Sequence, residues 1–415
     1  MEKTPVQLYR EREKRVTEAI EFRIPDRVPV MLELSYFPAK YTGITCEAAF
    51  YDYEKWLNAC IKTVRDFEPD IVQVTQFFPG IVYEILDSKQ MVLPGHGVSP
   101  DHTHRFIEGE FMKADEYDDF MDDRSDFMLR NYLPRIFGAL EPLNKLPPFW
   151  TTTFSYAEVP VLAEMLASPE IHGALEKLLD AGREMAVWHD KRAAFTEKIE
   201  ELGFPLHGTR GAHIPFDFLS YHVRGMKGMY LDVFRQPDKL IEVFDKMLPI
   251  QIKKAIMNAR SSGRKRVFWA LHRGADGFLS KEQFERFYWP YAKKIVQALV
   301  DEGLTPCLFL EGDYTSRLEY FLELPRGKVL GRFDASDIRK VKEVLHGHMS
   351  IMGNVPSSML ETGNPGDVED YCKNLIDVAG KGGGLIVAPR STIDGAKPEN
   401  IRAMVDFTKE YGRYS

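Results

Sequence analysis

Eight short apolar runs, each bounded by turn residues and followed by a helix-like segment, constrain the fold of this 415-residue chain more than any other feature. They lie at 28–32, at 71–75, at the start of 205–218, and at 266–272, 305–311, 328–334, 349–354 and 384–389. Thr305-Pro306-Cys307-Leu308-Phe309-Leu310 shows the pattern: apolar without alternation, as in parallel strands covered on both faces, and stopped by Glu311-Gly312-Asp313. The segments between carry helix signals. A charged amphipathic helix over 5–23 precedes the first run, and Ser280-Lys281-Glu282-Gln283 is a capping box. Val368, Cys372 and Leu375 keep helical spacing until Gly380 ends it. Strand–helix alternation repeated eight times predicts an α/β fold, a (β/α)8 TIM barrel forming one domain over 1–415. An open doubly wound sheet is the alternative. The alternation breaks at 77–204, where 81–111 reads as β-hairpin material turning at Gly95 and Gly97, and Ser168-Pro169 opens a helix. This stretch is expected to be an insertion that covers the barrel or meets another copy.

In a barrel, chemistry is placed at the carboxyl ends of the strands. In order these ends carry Glu33, Ser35 and Tyr36; Gln76; His213 and Asp217; His272 and Asp276; Glu311 and Asp313; Asp334; Asn354; and Arg390, Ser391 and Asp394. This is a polar, mostly acidic ring on apolar stems. His272 and Glu311 end consecutive strands, and neighbouring strands lie about 5 Å apart. Imidazole and carboxylate can there share a proton, a water or one hard metal ion. His272, Glu311 and Asp334 are therefore the catalytic candidates, and the first two are also the candidate metal ligands. The competing reading bonds His272 to a backbone carbonyl and pairs Glu311 with Arg273 or Arg317. Tyr36, Phe37, Phe77 and Phe78 offer an aromatic wall. Tyr36, Phe37, Gln76, Phe78, His213, Asp276, Asp313, Asn354, Arg390 and Ser391 form the candidate substrate-binding set. His96, His102 and His104 have no carboxylate at ligand spacing, which weakens a metal site there. Gly382-Gly383-Gly384 precedes a strand instead of opening a helix, so it reads as a tight turn and not a phosphate cradle.

Charge removes some functions. With 54 basic and 62 acidic residues the net charge is −8, the opposite of a nucleic-acid-binding field. Cys46, Cys60, Cys307 and Cys372 show no CxxC spacing, so neither a disulfide framework nor a cysteine zinc site is expected. No leader and no apolar run of spanning length is read, so the expected setting is cytoplasmic, without membrane contact.

Four pieces of the chain match a known family: Ile24-Pro25-Asp26-Arg27-Val28-Pro29-Val30, Gly353-Asn354-Val355-Pro356, Gly382-Gly383-Gly384-Leu385-Ile386-Val387-Ala388-Pro389, and Pro398-Glu399-Asn400-Ile401. The chain resembles the uroporphyrinogen decarboxylase superfamily, which includes cobalamin-dependent methyltransferases, and is closer to that branch. The decarboxylases carry an arginine-rich loop after the first strand and an aspartate after the second. Here the loop is Leu34-Ser35-Tyr36-Phe37-Pro38-Ala39-Lys40-Tyr41, without arginine, and Gln76 stands near the aspartate position. Decarboxylation of uroporphyrinogen is therefore not expected. The methyltransferases bind zinc through a His-x-Cys pair and a further Cys, at positions held here by Phe309, Glu311 and Ser391. A thiolate zinc site is not expected, although a divalent metal on other donors stays open. The resemblance implies a corrinoid-linked methyltransferase component. It would move a methyl group between a small methoxylated or N-methylated compound and a corrinoid, carried by a partner protein or bound directly. Such demethylation needs the leaving atom protonated or held by a Lewis acid. The alternatives are a lyase acting on another carboxylate or tetrapyrrole, and a non-catalytic corrinoid- or tetrapyrrole-binding protein. An oligomer is compatible with all three.

Overall fold

The computed structural model describes residues 3–75, 77–152 and 155–414. Its apolar runs form eight parallel strands: β1 Met31–Glu33, β2 Ile71–Gln73, β3 Thr209–Arg210, β4 Arg266–Leu271, β5 Thr305–Leu310, β6 Leu330–Phe333, β7 Ser350–Met352 and β8 Leu385–Ile386. Strands β3 to β8 pair in sequence order, and β1 pairs with β2 in the same sense. Two parallel bridges close the ring. Val72 faces Leu206 just ahead of β3, and Val30 faces Val387 just past β8. Val72 N donates to Pro205 O at 3.0 Å and Met31 N to Val387 O at 2.8 Å. The fold is the (β/α)8 barrel expected from the alternation.

Period-two alternation divides each strand between two cores. Met31, Ile71, Cys307, Leu330, Met352 and Ile386, with Phe268, turn inward and form a small apolar plug. Val16, Ala19 and Ile20 of the helix Pro5–Ile20 close it at the amino ends of the strands. Leu32, Val72, Val267, Leu308 and Ile351 turn outward into the main core beneath the helices. The amino-terminal helix is fastened by Asp70, whose side chain is wholly buried. It accepts from Arg15 and Arg27, both at 2.6 Å, and from Val30 N at 2.9 Å. The glycine run is a turn, as expected. Gly384 has φ +82, and a Cβ there would lie 2.5 Å from the Phe22 ring.

The hairpin expected within 81–111 forms over a few residues, and the rest of the described part of segment 77–204 is largely helical. Its strands are confined to Met91–Pro94, Gly97–Val98 and Arg105–Phe106, the first pairing antiparallel with the last. It ends in the 33-residue helix Pro169–Glu201, where Ser168 stands at the N-cap but its hydroxyl donates to Met165 O at 2.8 Å. Trp188, Phe195 and Ile199 of this helix join the barrel's main core. Ile171, Ala174 and Ala181 join a separate cluster with Leu86, Leu140 and Leu143. At 1.5 Å per residue the helix is about 50 Å long, and its first half packs on this separate cluster instead of the barrel's main core. Among the described residues no helix is long and apolar enough to cross a membrane.

Candidate active site

Alternation also decides which residues reach the barrel mouth. The inward-facing positions Ala270, Phe309, Arg332, Met352 and Ala388 are each followed two residues later by His272, Glu311, Asp334, Asn354 and Arg390. Where the chain stays extended past a strand, these side chains keep the inward direction. His272 Nδ1 meets Glu311 Oε2 in direct contact. Burial disfavours the His272 imidazolium, but the bond to Glu311 and the charge of Asp217 carry its pKa above the ordinary histidine value. Burial alone would raise the Glu311 carboxyl, yet His272 brings it below the usual carboxylate range. The two shifts agree on an imidazolium–carboxylate pair.

Asp217 supports that pair from beneath. It is fully buried and accepts from His272 N at 3.0 Å, Arg273 N at 2.9 Å and the Tyr288 hydroxyl at 2.6 Å. Burial pushes its pKa up. The π-helical turn Leu219–Val223 brings in two residues that sequence reading did not single out, Tyr221 and His222. Tyr221 stacks on His272 with ring centres 5.3 Å apart, and His222 lies against His213 at 5.2 Å. Burial, then the neighbouring imidazoles, lowers His213 to about 3; burial, then His272, lowers His222 to about 4. Both are neutral beside the charged His272.

The other predicted residues divide. Asp334 accepts from Gly312 N at 2.9 Å, lies 3.6 Å from Arg390 Nε, and has its pKa raised by burial. Arg332, below it, lies 4.8 Å from the Phe309 ring centre and pairs with Glu33. It also donates to the carbonyls of Pro389 and Ser391 at 3.2 and 3.1 Å. Asn354 is committed to the carbonyls of Asp334 and Ser336 and to Tyr371. Asp276 pairs with Arg317 at 2.9 Å, and Asp313 caps Thr315 N at 2.8 Å. Phe37 is core, between Tyr41 and Phe67, and Phe78 packs against the same core. Gln76 lies outside the described residues.

Tyr36 belongs to a different part of the mouth. Its hydroxyl bonds His104 Nδ1 at 2.6 Å, its amide donates to Asp394 at 2.9 Å, and its ring stacks on Phe77 at 4.6 Å. A cavity of about 910 Å³ opens here, lined by Tyr36, Lys40, His104, Arg105, Phe106 and Asp394 among others. Phe106 of its lining stacks on Tyr221 at 5.1 Å, and Tyr221 in turn stacks on His272. His104 is held neutral by burial. His96 instead pairs with Glu84 at 2.6 Å, so the three insertion histidines do not converge. Among the described residues no three His, Cys, Asp or Glu side chains are grouped to hold a metal ion. Phe309 under Arg332, Glu311 on His272 and Ser391 do not make a thiolate zinc donor set, and all four cysteines are buried elsewhere.

A sequence model of the family described as Uroporphyrinogen decarboxylase (URO-D) matches residues 151–411. A protein named uroporphyrinogen decarboxylase from Syntrophotalea carbinolica is 24% identical over 211 residues, 49% of this chain and 58% of that protein. One of the same name from Flavobacterium johnsoniae is 27% identical over 138 residues, 33% of this chain and 39% of that protein. The chain thus spans little more than half the length of the first relative and less than half of the second. A methyltransferase from Methanosarcina mazei shares the fold at a TM-score of 0.60, covering 96% of this chain and 98% of that one at 14% identity. The family match takes in well over half of the sequence and six of the eight strands, β3 to β8. The chain belongs to the uroporphyrinogen decarboxylase family.

Proposed function

We propose that this chain is a methyltransferase component that demethylates a small methoxylated or N-methylated compound, with a corrinoid borne by a partner protein as the methyl-accepting cosubstrate. The observation that carries this reading is the contact of His272 Nδ1 with Glu311 at the mouth. An alkoxide or amide anion leaves poorly, so the heteroatom must receive a proton as its methyl group departs. In this reading His272 gives that proton. Its imidazolium is favoured by Glu311, and its main chain is fixed by Asp217. The proton leaves the ring for the heteroatom as the carbon–heteroatom bond breaks, and Glu311 keeps the site's charge balanced. Neutral His213 and His222 stand near without adding positive charge, and Tyr221 covers one face of the ring.

Decarboxylation of a polycarboxylate, the reaction in the curated relatives' name, finds less support. Arg332 is taken by Glu33, Arg390 stands at Asp334, and Arg273 Nη2 is 3.6 Å from Glu108. These cations already face anions of the chain. The test is to incubate purified protein with reduced cobalamin and a panel of methoxylated and N-methylated compounds, following methylcobalamin absorbance. Formation with one class of donor is expected. Binding of donors without methylcobalamin across the panel would overturn the reading.

A further inference from the structure

One arginine of the mouth has donors to spare. Arg390 stands just past β8 with its side chain 34% exposed, and its guanidinium makes no hydrogen bond among the described residues. Asp334 Oδ1 lies 3.6 Å from its Nε, too far for one, and that Nε is buried without a partner. A buried donor left unpaired is costly and calls for an explanation. The other arginines of the mouth are engaged differently. Arg332 pairs with Glu33 and holds two carbonyls, and Arg317 pairs with Asp276. Arg273 lies 5.8 Å from the ring centre of Tyr221 and 5.2 Å from that of Phe278. Asp334 approaches Arg390 from the Nε side, which leaves the edge formed by the two Nη atoms open. That edge is the geometry that takes one carboxylate through two parallel bonds.

The barrel sets this open edge opposite the acid. Three strands separate β4 from β8 in each direction around the ring, so the two stand across the mouth from one another. His272 leaves β4 and Arg390 leaves β8. The inward residues beneath them are Ala270 and Ala388, smaller than Phe309, Arg332 and Met352 on the strands between. The smallest inward side chains therefore lie under the line that joins His272 to Arg390. Burial raises the Asp334 carboxyl, so a second anion at Arg390 meets a group that takes up a proton readily.

We propose that Arg390 binds a carboxylate of the methyl donor and so holds the donor's methylated heteroatom toward His272. The identity of that far end rests on the demethylation reading. The donor class narrows to compounds that carry one carboxylate, since one open guanidinium edge serves one carboxylate and not the several of a polycarboxylate.

The test compares acids with their amides, which keep the shape and lose the carboxylate charge. Para-methoxybenzoate with para-methoxybenzamide, and N,N-dimethylglycine with its amide, are titrated calorimetrically into the full chain at neutral pH. At least one acid is expected to bind about tenfold or more tighter than its amide. Arg390→Gln is expected to abolish that preference with an unchanged circular dichroism spectrum, and Arg390→Lys, which keeps the charge without the fork, to retain part of it. Equal binding of acid and amide by the wild type overturns the proposal, and so does binding of neither pair. A preference that survives Arg390→Gln overturns it as well. The wild-type comparison decides the matter even where a variant does not fold. Binding is read without turnover, which separates the two readings. An acid held through Arg390 that yields no methylcobalamin leaves the carboxylate assignment standing and counts against the demethylation reading instead.

Discussion

Replacing Glu311 by glutamine keeps the side chain's shape and removes its charge, leaving the His272 imidazolium without its partner. Two magnitudes follow from where the pair stands. The Glu311 side chain is 49% exposed and that of His272 25%, so solvent screens their attraction. The pair then adds at most about 1 kcal/mol to folding, which lowers the melting midpoint by no more than about 2–4 °C. If His272 delivers the proton, losing the pair slows turnover by about two to four orders of magnitude, a barrier increase of about 3–5 kcal/mol. Activity is therefore expected to fall by far more than stability. The pH profile gives a further sign. Burial lowers the His272 pKa and Glu311 opposes it, so without Glu311 the alkaline limb of kcat/KM moves to lower pH. The assay is methylcobalamin formation across pH, with thermal melts of both proteins. A stably folded Glu311→Gln protein with unchanged turnover would refute the reasoning, as would a fall in activity that only follows loss of fold.

The same pair predicts a pH window for stability. His272 titrates higher when folded, so its contribution is complete below its unfolded value of about 6.5 and is lost as pH rises through the folded value. Glu311 titrates lower, so its contribution is present above about 4.5 and is lost as pH falls through the folded value. The stability difference between wild type and Glu311→Gln should peak between these values, and a difference independent of pH in urea titrations would contradict it. Asp70→Asn strips the buried carboxylate from Arg15 and Arg27 and should cost about 3–5 kcal/mol in urea unfolding, with a loss below 1 kcal/mol counting against it. Incubation with uroporphyrinogen should yield no coproporphyrinogen above a no-enzyme control, because the first-strand loop has no arginine; measurable product would overturn this.

The barrel was legible because its strands are buried on both faces and its helices announce their ends. The capping box at Ser280 forms as written, with Ser280 accepting from Gln283 N. The helix that carries Val368, Cys372 and Leu375 begins at Pro365, where Asn364 takes the cap and Asp367 closes the box on it. The covering segment was harder to read. Its strands are too short for alternation to show, two residues in Arg105–Phe106, for example. The long helix did carry a signal: Ala174, Ala181, Trp188 and Phe195 recur every seven residues and are all buried. What the repeat could not show is that the first two meet one core and the last two another, since both cores select the same stripe.

At the mouth, the sequence places side chains reliably only as far as the backbone stays extended. His272 and Glu311 obey the alternation, while Asp313 does not, because Gly312 at φ +92 turns the chain and aims the carboxylate at Thr315. Tyr221 and His222 come from a π-helical turn, for which no pattern in the sequence prepares. The choice of partner for Glu311 was also beyond pattern. Arg317 goes to Asp276 and Arg273 lies against Glu108, so the imidazole is what remains for Glu311. That choice has a chemical consequence. A guanidinium stays protonated at any working pH, so an Arg–Glu pair would fix the charge and hold no mobile proton. An imidazole held by a carboxylate keeps its proton to higher pH than a free one and can still release it to a leaving heteroatom. On the proposed reading, the arginines committed elsewhere leave the mouth an acid that can part with its proton.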